Sequence, residues 1–220
     1  MIPGKRVTEK TVYFVRHGQS LANVTPIFQA EDSPLSEEGK KQAGLIAGRV
    51  SKIAFDALIS SPYPRTKETA EAISRATGKP IEYSDLFIER RKPTSVTGKP
   101  HSDEAARNRF GEWEESLYAP GVRVEDGENL DDIMARTDDA IAFLTRRTER
   151  TLVVVTHGFF LRAIAARVLL GDTLTPDNFK SFILNTMIDN TGISAIRYVR
   201  WEADPTWRLW IFNDHAHLAE

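Results

Sequence analysis

The sequence predicts a three-layer α/β/α sandwich with a mostly parallel sheet and an antiparallel C-terminal edge. Three observations predict it. Short apolar runs rich in β-branched and aromatic residues alternate with segments of helical period. Two of these runs, 12–15 and 152–155, lead into the same pair, His17-Gly18 and His157-Gly158. The last third changes to two strand-like runs with a turn between them, as an antiparallel hairpin requires. The 220 residues are enough for one substantial core. A single domain over 1–220 is expected, with a lid-like excursion at about 90–127.

Residues 11–16 are the first strand. Ser36 fits a helix N-cap, with Glu37 and Glu38 favourably placed in the first turn. Ala43, Ile46, Ala47 and Val50 then share one helical face. Residues 57–60 form a second strand. Ser61-Pro62 reads as cap and first helical proline of the next helix. Thr66, Thr69, Ala70 and Ile73 face inward along that helix, and Gly78-Lys79-Pro80 ends it. A third strand follows at 81–83. The stretch 89–127 is polar and punctuated by proline and glycine, with a helix over 105–117. A longer helix spans 130–147, acidic at its start and basic at its end. The strand at 152–155 precedes a helix with Leu161, Ile164, Ala165 and Val168 inward, stopped at Gly171. Strands at 193–199 and 207–212 close the chain, with a turn near Asp204-Pro205.

The chain has no cysteine, which excludes disulfides, thiolate catalysis and cysteine-bound metals. A net charge of -2 offers no global basic field for nucleic acid or anionic membrane. Residues 1–6 lack a signal-peptide core. The most apolar long segment, 159–170, carries Arg162 and Arg167 and is too short to span a bilayer. The expected location is cytoplasmic. The expected partner is a small phosphorylated metabolite, with neither nucleic acid nor membrane, and a homodimer is left open.

Ligands of open α/β sheets collect beyond the carboxyl ends of the strands. His17 lies there, and a neutral imidazole can attack phosphorus and hold the phosphoryl group. Arg16 would neutralise phosphate oxygens, Asn23 would donate to them, and Gly18 would let the backbone approach closely. Arg65 falls in the first turn of a helix, unfavourable for a cation unless it grips an anion. His157 supplies a second imidazole, and Gly158 opens a helix whose N–H groups suit an anion. Glu89 is a candidate general acid. Singly, each has a plainer reading: a satisfied strand-end histidine, a solvated arginine, an exposed carboxylate beside Arg90 and Arg91. The cluster Arg90-Arg91-Lys92, with Lys99, would collect further negative charge or simply be a solvated loop. A metal site of His17, His157 and Glu89 is disfavoured, since Arg16 and Arg65 would repel a divalent cation.

In order along the chain, these pieces resemble the histidine phosphatase superfamily, also called phosphoglycerate mutase-like. The resemblance rests on Arg16-His17-Gly18-Gln19-Ser20 with Asn23, on Ser61-Pro62-Tyr63-Pro64-Arg65-Thr66, on Glu89-Arg90 and on Gly127-Glu128-Asn129-Leu130. Thr156-His157-Gly158 continues it, and Asn190-Thr191-Gly192 and Asn213-Asp214-His215-Ala216-His217 look like that family's C-terminal strands. It implies His17 as phosphorylated nucleophile. Arg16, Arg65 and His157 would make the phosphate pocket, assisted by Asn23, the Gly158 amide and Arg90. Glu89 would be proton donor. No cofactor and no metal is implied. The activity implied is phosphomonoester hydrolysis of the histidine acid phosphatase type. Mutase-type phosphotransfer and a non-catalytic phospho-ligand sensor are the alternatives. After Glu89-Arg90 the glycolytic mutases usually continue with Tyr-Gly, whereas this chain reads Arg91-Lys92-Pro93. The tryptophan-containing stretch those mutases carry after the first motif is also missing. Both departures favour hydrolysis.

Overall fold

The computed structural model describes residues 7–201 and 204–218. Its strands are β1 (Val7–Arg16), β2 (Ala57–Ser60), β3 (Ile81–Tyr83), β4 (Thr151–Thr156), β5 (Ile193–Trp201) and β6 (Asp204–Asp214). They form one sheet in the order β3-β2-β4-β1-β5-β6. The first four of that order run parallel. β5 is antiparallel to both β1 and β6. The register Arg16↔Thr156 and Ser60↔Val155 brings the carboxyl ends of β1, β4 and β2 to one edge of the sheet.

The helices are α1 (Leu21–Val24), α2 (Glu37–Val50), α3 (Pro64–Thr77), α4 (Glu104–Ser116), α5 (Leu130–Arg146), α6 (Gly158–Leu170) and α7 (Pro176–Asn185). Alternate strand residues face opposite ways, and the core divides accordingly. Val12, Phe14, Leu152 and Val154 pack with Ala140 and Leu144 of α5 and Phe160 and Ile164 of α6. Val15, Leu58, Val153 and Val155 pack with Ile46 and Val50 of α2 and Ala70 and Ile73 of α3. The central strands are therefore apolar on both faces, as a sheet covered by helices on each side requires. A further cluster joins Leu117 and Leu130 to Phe179 and Ile183 of α7. Among the described residues no helix is long and apolar enough to cross a membrane.

Several expectations are revised. β1 begins at Val7, because the polar residues before Thr11 still pair with β5. The start of α3 moves from Ser61-Pro62 to Tyr63-Pro64, with Pro64 as the first helical residue. Ser61 instead extends the strand, its amide donating to the Val155 carbonyl at 3.0 Å. Helix α7 is additional; Thr175 caps it and Pro176 opens it. The closing strands lengthen until Trp201 faces Asp204, so Asp204-Pro205 lies inside β6. Proline is tolerated there because β6 is an edge strand. The linking residues 202–203 and the N-terminal 1–6 lie outside the described residues. The helix of the excursion and the one after it match the sequence reading within a residue.

Candidate active site

β1 ends at Arg16 and hands the chain to His17, whose amide donates to the Thr156 carbonyl at 3.0 Å. The two histidines thus leave neighbouring parallel strands side by side. Their ring centroids lie 5.2 Å apart, edge to face. Both rings are buried. The loop after His17 runs against α2 so closely that a Cβ on Gly18 would lie 2.5 Å from the Gly39 carbonyl oxygen. The Gly18 amide donates to Thr69 Oγ1 at 3.1 Å. The backbone beside the nucleophile candidate is therefore clamped from α2 and α3.

His17 Nδ1 lies 2.6 Å from the Gly18 carbonyl oxygen. A carbonyl only accepts, so Nδ1 carries the proton and Nε2 keeps its lone pair. Burial, then the positive Arg65 and Arg16, holds this imidazole well below its usual 6.5. His157 is depressed too, by burial first and then Arg65. Its tautomer also follows from its partners. Arg65 Nε donates to Nδ1 at 3.3 Å, so the proton sits on Nε2, which faces Ser61 Oγ at 2.9 Å. As placed, His157 orients Arg65 and presents no free N–H of its own.

Arg65 is 2% exposed, which decides against the solvated-arginine reading. Its Nη1 donates to the carbonyls of Ala30 and Glu31. Burial pulls its guanidinium down to about 10, with Glu89 acting in the opposite sense, so it is a cation at neutral pH. Arg16 donates through Nη1 to the Ile188 carbonyl. Its Nε is buried without a hydrogen-bond partner, and it sits 3.1 Å from where a Gly158 Cβ would be. A buried, unpaired, charged donor is costly unless something accepts from it.

Glu89 lies at the start of α6. Its carboxylate accepts from the amides of Phe159 and Phe160 at 3.2 and 3.1 Å, and from its neighbour Arg90 at 3.1 Å. The first N–H groups of a helix have no intrahelical acceptor. Glu89 takes two of those in α6, and the Gly158 N–H is the one before them. Glu89 lines two clefts at once. One also has Tyr63, Arg65, Arg90 and Lys92 in its wall. The other has Arg16, Gly158, Phe159 and Arg162.

Two predicted residues have further partners in the structure. The Asn23 side chain accepts from the Ser20 amide and hydroxyl at 2.9 and 3.0 Å, closing the short α1, and is exposed. Arg90 is 3% exposed and lines the first of these clefts with Glu89, but its guanidinium is engaged by α4 and the loop before α5. Its guanidinium stacks 3.7 Å from the Trp113 ring centroid and bonds the carbonyls of Trp113 and Glu128 at 2.6 and 3.0 Å. Arg91 pairs with Glu128, and Lys92 reaches the Gln29 carbonyl. Ser61, read only as a cap and motif residue, Thr69, read only as an inward helix residue, and the carbonyls at 30–31 also join the site. Short hydroxyls and backbone oxygens carry no sequence pattern that marks them as site residues.

The sequence matches the model of the histidine phosphatase superfamily (branch 1) over residues 12–211. A probable phosphoglycerate mutase of Citrobacter koseri is 29% identical over 213 residues, covering 94% of each chain. One of Photorhabdus laumondii is 30% identical over 169 residues, covering 72% of this chain and 74% of its own. Among solved structures, a mycobacterial glucosyl-3-phosphoglycerate phosphatase in complex with VO3 superposes with TM-score 0.73 at 25% identity, over 93% of this chain and 99% of that one. A putative alpha-ribazole-5'-P phosphatase from Escherichia coli gives TM-score 0.75 at 19% identity, covering 93% and 97%. That second likeness shows the fold alone.

Proposed function

The chain belongs to the histidine phosphatase superfamily, branch 1, and we propose that it hydrolyses phosphomonoesters through a phosphohistidine on His17. The observation that carries this is the buried neutral imidazole of His17, with Nδ1 committed to the Gly18 carbonyl and Nε2 left as the nucleophile. Nε2 attacks phosphorus as the bond to the ester oxygen breaks. Glu89 gives its proton to that departing oxygen. The phosphorylated ring keeps its Nδ1 proton on Gly18, so it is cationic and a good leaving group. Glu89 then takes a proton from water, the water oxygen attacks phosphorus, and the N–P bond breaks. Inorganic phosphate, neutral His17 and protonated Glu89 result. Arg16 and Arg65 offset the charge on the transferring oxygens, where phosphoryl-transfer catalysts mainly act. The unpaired Arg16 Nε and the Gly158 N–H supply donors for those oxygens.

The relatives named as probable mutases raise one alternative, return of the phosphoryl group to a second hydroxyl, without favouring it over hydrolysis. That path needs water kept out while the intermediate lives. Rapid-quench labelling with a phosphorylated substrate tests the proposal. Wild-type protein is expected to take up acid-labile phosphate and release it as inorganic phosphate, and His17→Ala to take up none. Binding without labelling would indicate a sensor. Isomerised phosphoglycerate in place of inorganic phosphate would indicate a mutase.

A further inference from the structure

We infer that Thr191 and His217 are positioning residues for the nucleophile, an inference that rests on His17 being that nucleophile. Neither touches the clefts described above. They act on the backbone from which His17 is presented.

The turn before β5 lies directly behind the end of β1. The Thr191 amide donates to the Arg16 carbonyl at 3.0 Å and reaches the His17 carbonyl at 3.4 Å. The Asn190 side chain also donates to the His17 carbonyl, at 3.0 Å. The Arg16 amide donates back to the Gly192 carbonyl at 3.2 Å. The Arg16 side chain bonds the Ile188 carbonyl in the same turn. Both phosphate-facing residues of the first motif are thus set by residues 188–192.

This turn holds a conformation that its sequence disfavours. Thr191 has φ of 60° and is fully buried. A β-branched residue in the left-handed region is a genuine outlier and persists only where its surroundings over-determine it. The surroundings are the end of the chain. Thr191 Oγ1 donates to the Asn190 carbonyl at 2.7 Å, which leaves it an acceptor for His217 Nε2 at 2.9 Å. His217 Nδ1 faces Arg49 Nη1 at 3.3 Å. A guanidinium only donates, so Nδ1 accepts and the proton is on Nε2, pointing at Thr191. Arg49 in turn is held by Asp214. The side-chain hydrogen bonds therefore run in one sense, from Arg49 of α2 through His217 and the Thr191 hydroxyl to the Asn190 carbonyl, and they fix the residue whose amide meets the Arg16 and His17 carbonyls. Asn213 braces the same turn, accepting from the Asp189 amide at 2.8 Å. A Cβ on Gly192 would lie 2.4 Å from Asn213 Oδ1, so the contact has no slack.

Displacing a reacting group by about 1 Å can cost about 100-fold in rate. A positioning role then separates from a purely structural one through glycine. Thr191→Gly removes the hydroxyl but relieves the left-handed φ, which partly offsets the lost buried hydrogen bond, so the protein should remain folded. We expect its kcat, and its rate of phosphoenzyme formation, to fall by about 10- to 100-fold with a smaller change in KM. His217→Phe should behave alike. Thr191→Ser and His217→Gln, which restore the hydroxyl and a donor–acceptor pair, should recover most of the rate. Labelling of folded Thr191→Gly and His217→Phe at the wild-type rate would overturn the inference while leaving His17 as nucleophile. Absence of acid-labile phosphate on the wild-type protein would remove the premise instead.

Discussion

Glu89 and Arg90 share a peptide bond yet serve two parts of the molecule built on different electrostatics. Glu89 faces the strand-end pocket, where Arg16 and Arg65 donate to backbone carbonyls. Arg90 faces the 90–127 excursion and its junction with α5, where cations also meet carboxylates: Arg90 with Glu114, Arg91 and Arg136 with Glu128, Arg109 with Glu112, Arg123 with Asp132. Carbonyls satisfy hydrogen bonds without cancelling charge. The pocket therefore keeps positive charge for an anion, and the excursion spends its charge holding itself to the fold. An arginine's neighbours, rather than its place in a motif, decide which task it performs.

Substitutions on the two sides should separate activity from stability. The largest effect is expected at Arg65→Ala, which should lower kcat by about 100- to 1,000-fold. Activity near wild type would remove Arg65 from the pocket. Next is Glu89→Gln. It should cost about 100-fold or more on alkyl phosphates, whose leaving groups need a proton, and far less on activated aryl phosphates. Equal losses on both would end its role as proton donor. Arg90→Ala should invert the pattern. It strips buried partners from α4 and is expected to cost about 2–4 kcal/mol of stability in urea titration, with kcat on saturating substrate only modestly changed. A thousand-fold loss of kcat in a stable Arg90→Ala protein would erase the distinction between the two regions.

The smallest effect concerns acid. His17 and His157 are both held below 6.5 in the folded state. Below that pH the unfolded chain binds protons that the native rings refuse. Stability is thus full above pH 6.5 and declines as pH falls beneath it. Replacing His157 by Gln should flatten this decline in urea melts collected between pH 7 and 5. An unchanged slope would mean that the rings are not desolvated as the structure has them.

The pocket was legible in the sequence because its parts sit where regular structure ends. A continuous apolar run marks a strand buried on both faces, and the residue after it must lie at the sheet's edge. His17 and His157 were singled out in this way, and Arg65 by its place in the first turn of a helix. Arg90 and Asn23 have partners that the sequence did not indicate, for a common reason. Motif spacing fixes where a Cα goes but not which way a long or forked side chain turns. Helix α7 escaped notice because it follows α6 after only a short turn. The strained turn at Thr191 also escaped, since nothing local to a threonine signals a left-handed backbone.

The amino-acid order alone determined the layered architecture, the order of strand and helix, and the set of candidate groups at the strand ends. Burial periodicity and chain connectivity are local properties, and they suffice for that much. Tertiary contact decided the protonation states of the two imidazoles, the division between charge kept and charge cancelled, and the bracing of His17 from the far end of the chain. Each of these depends on which atoms meet across many intervening residues, and on the loss of water when they do.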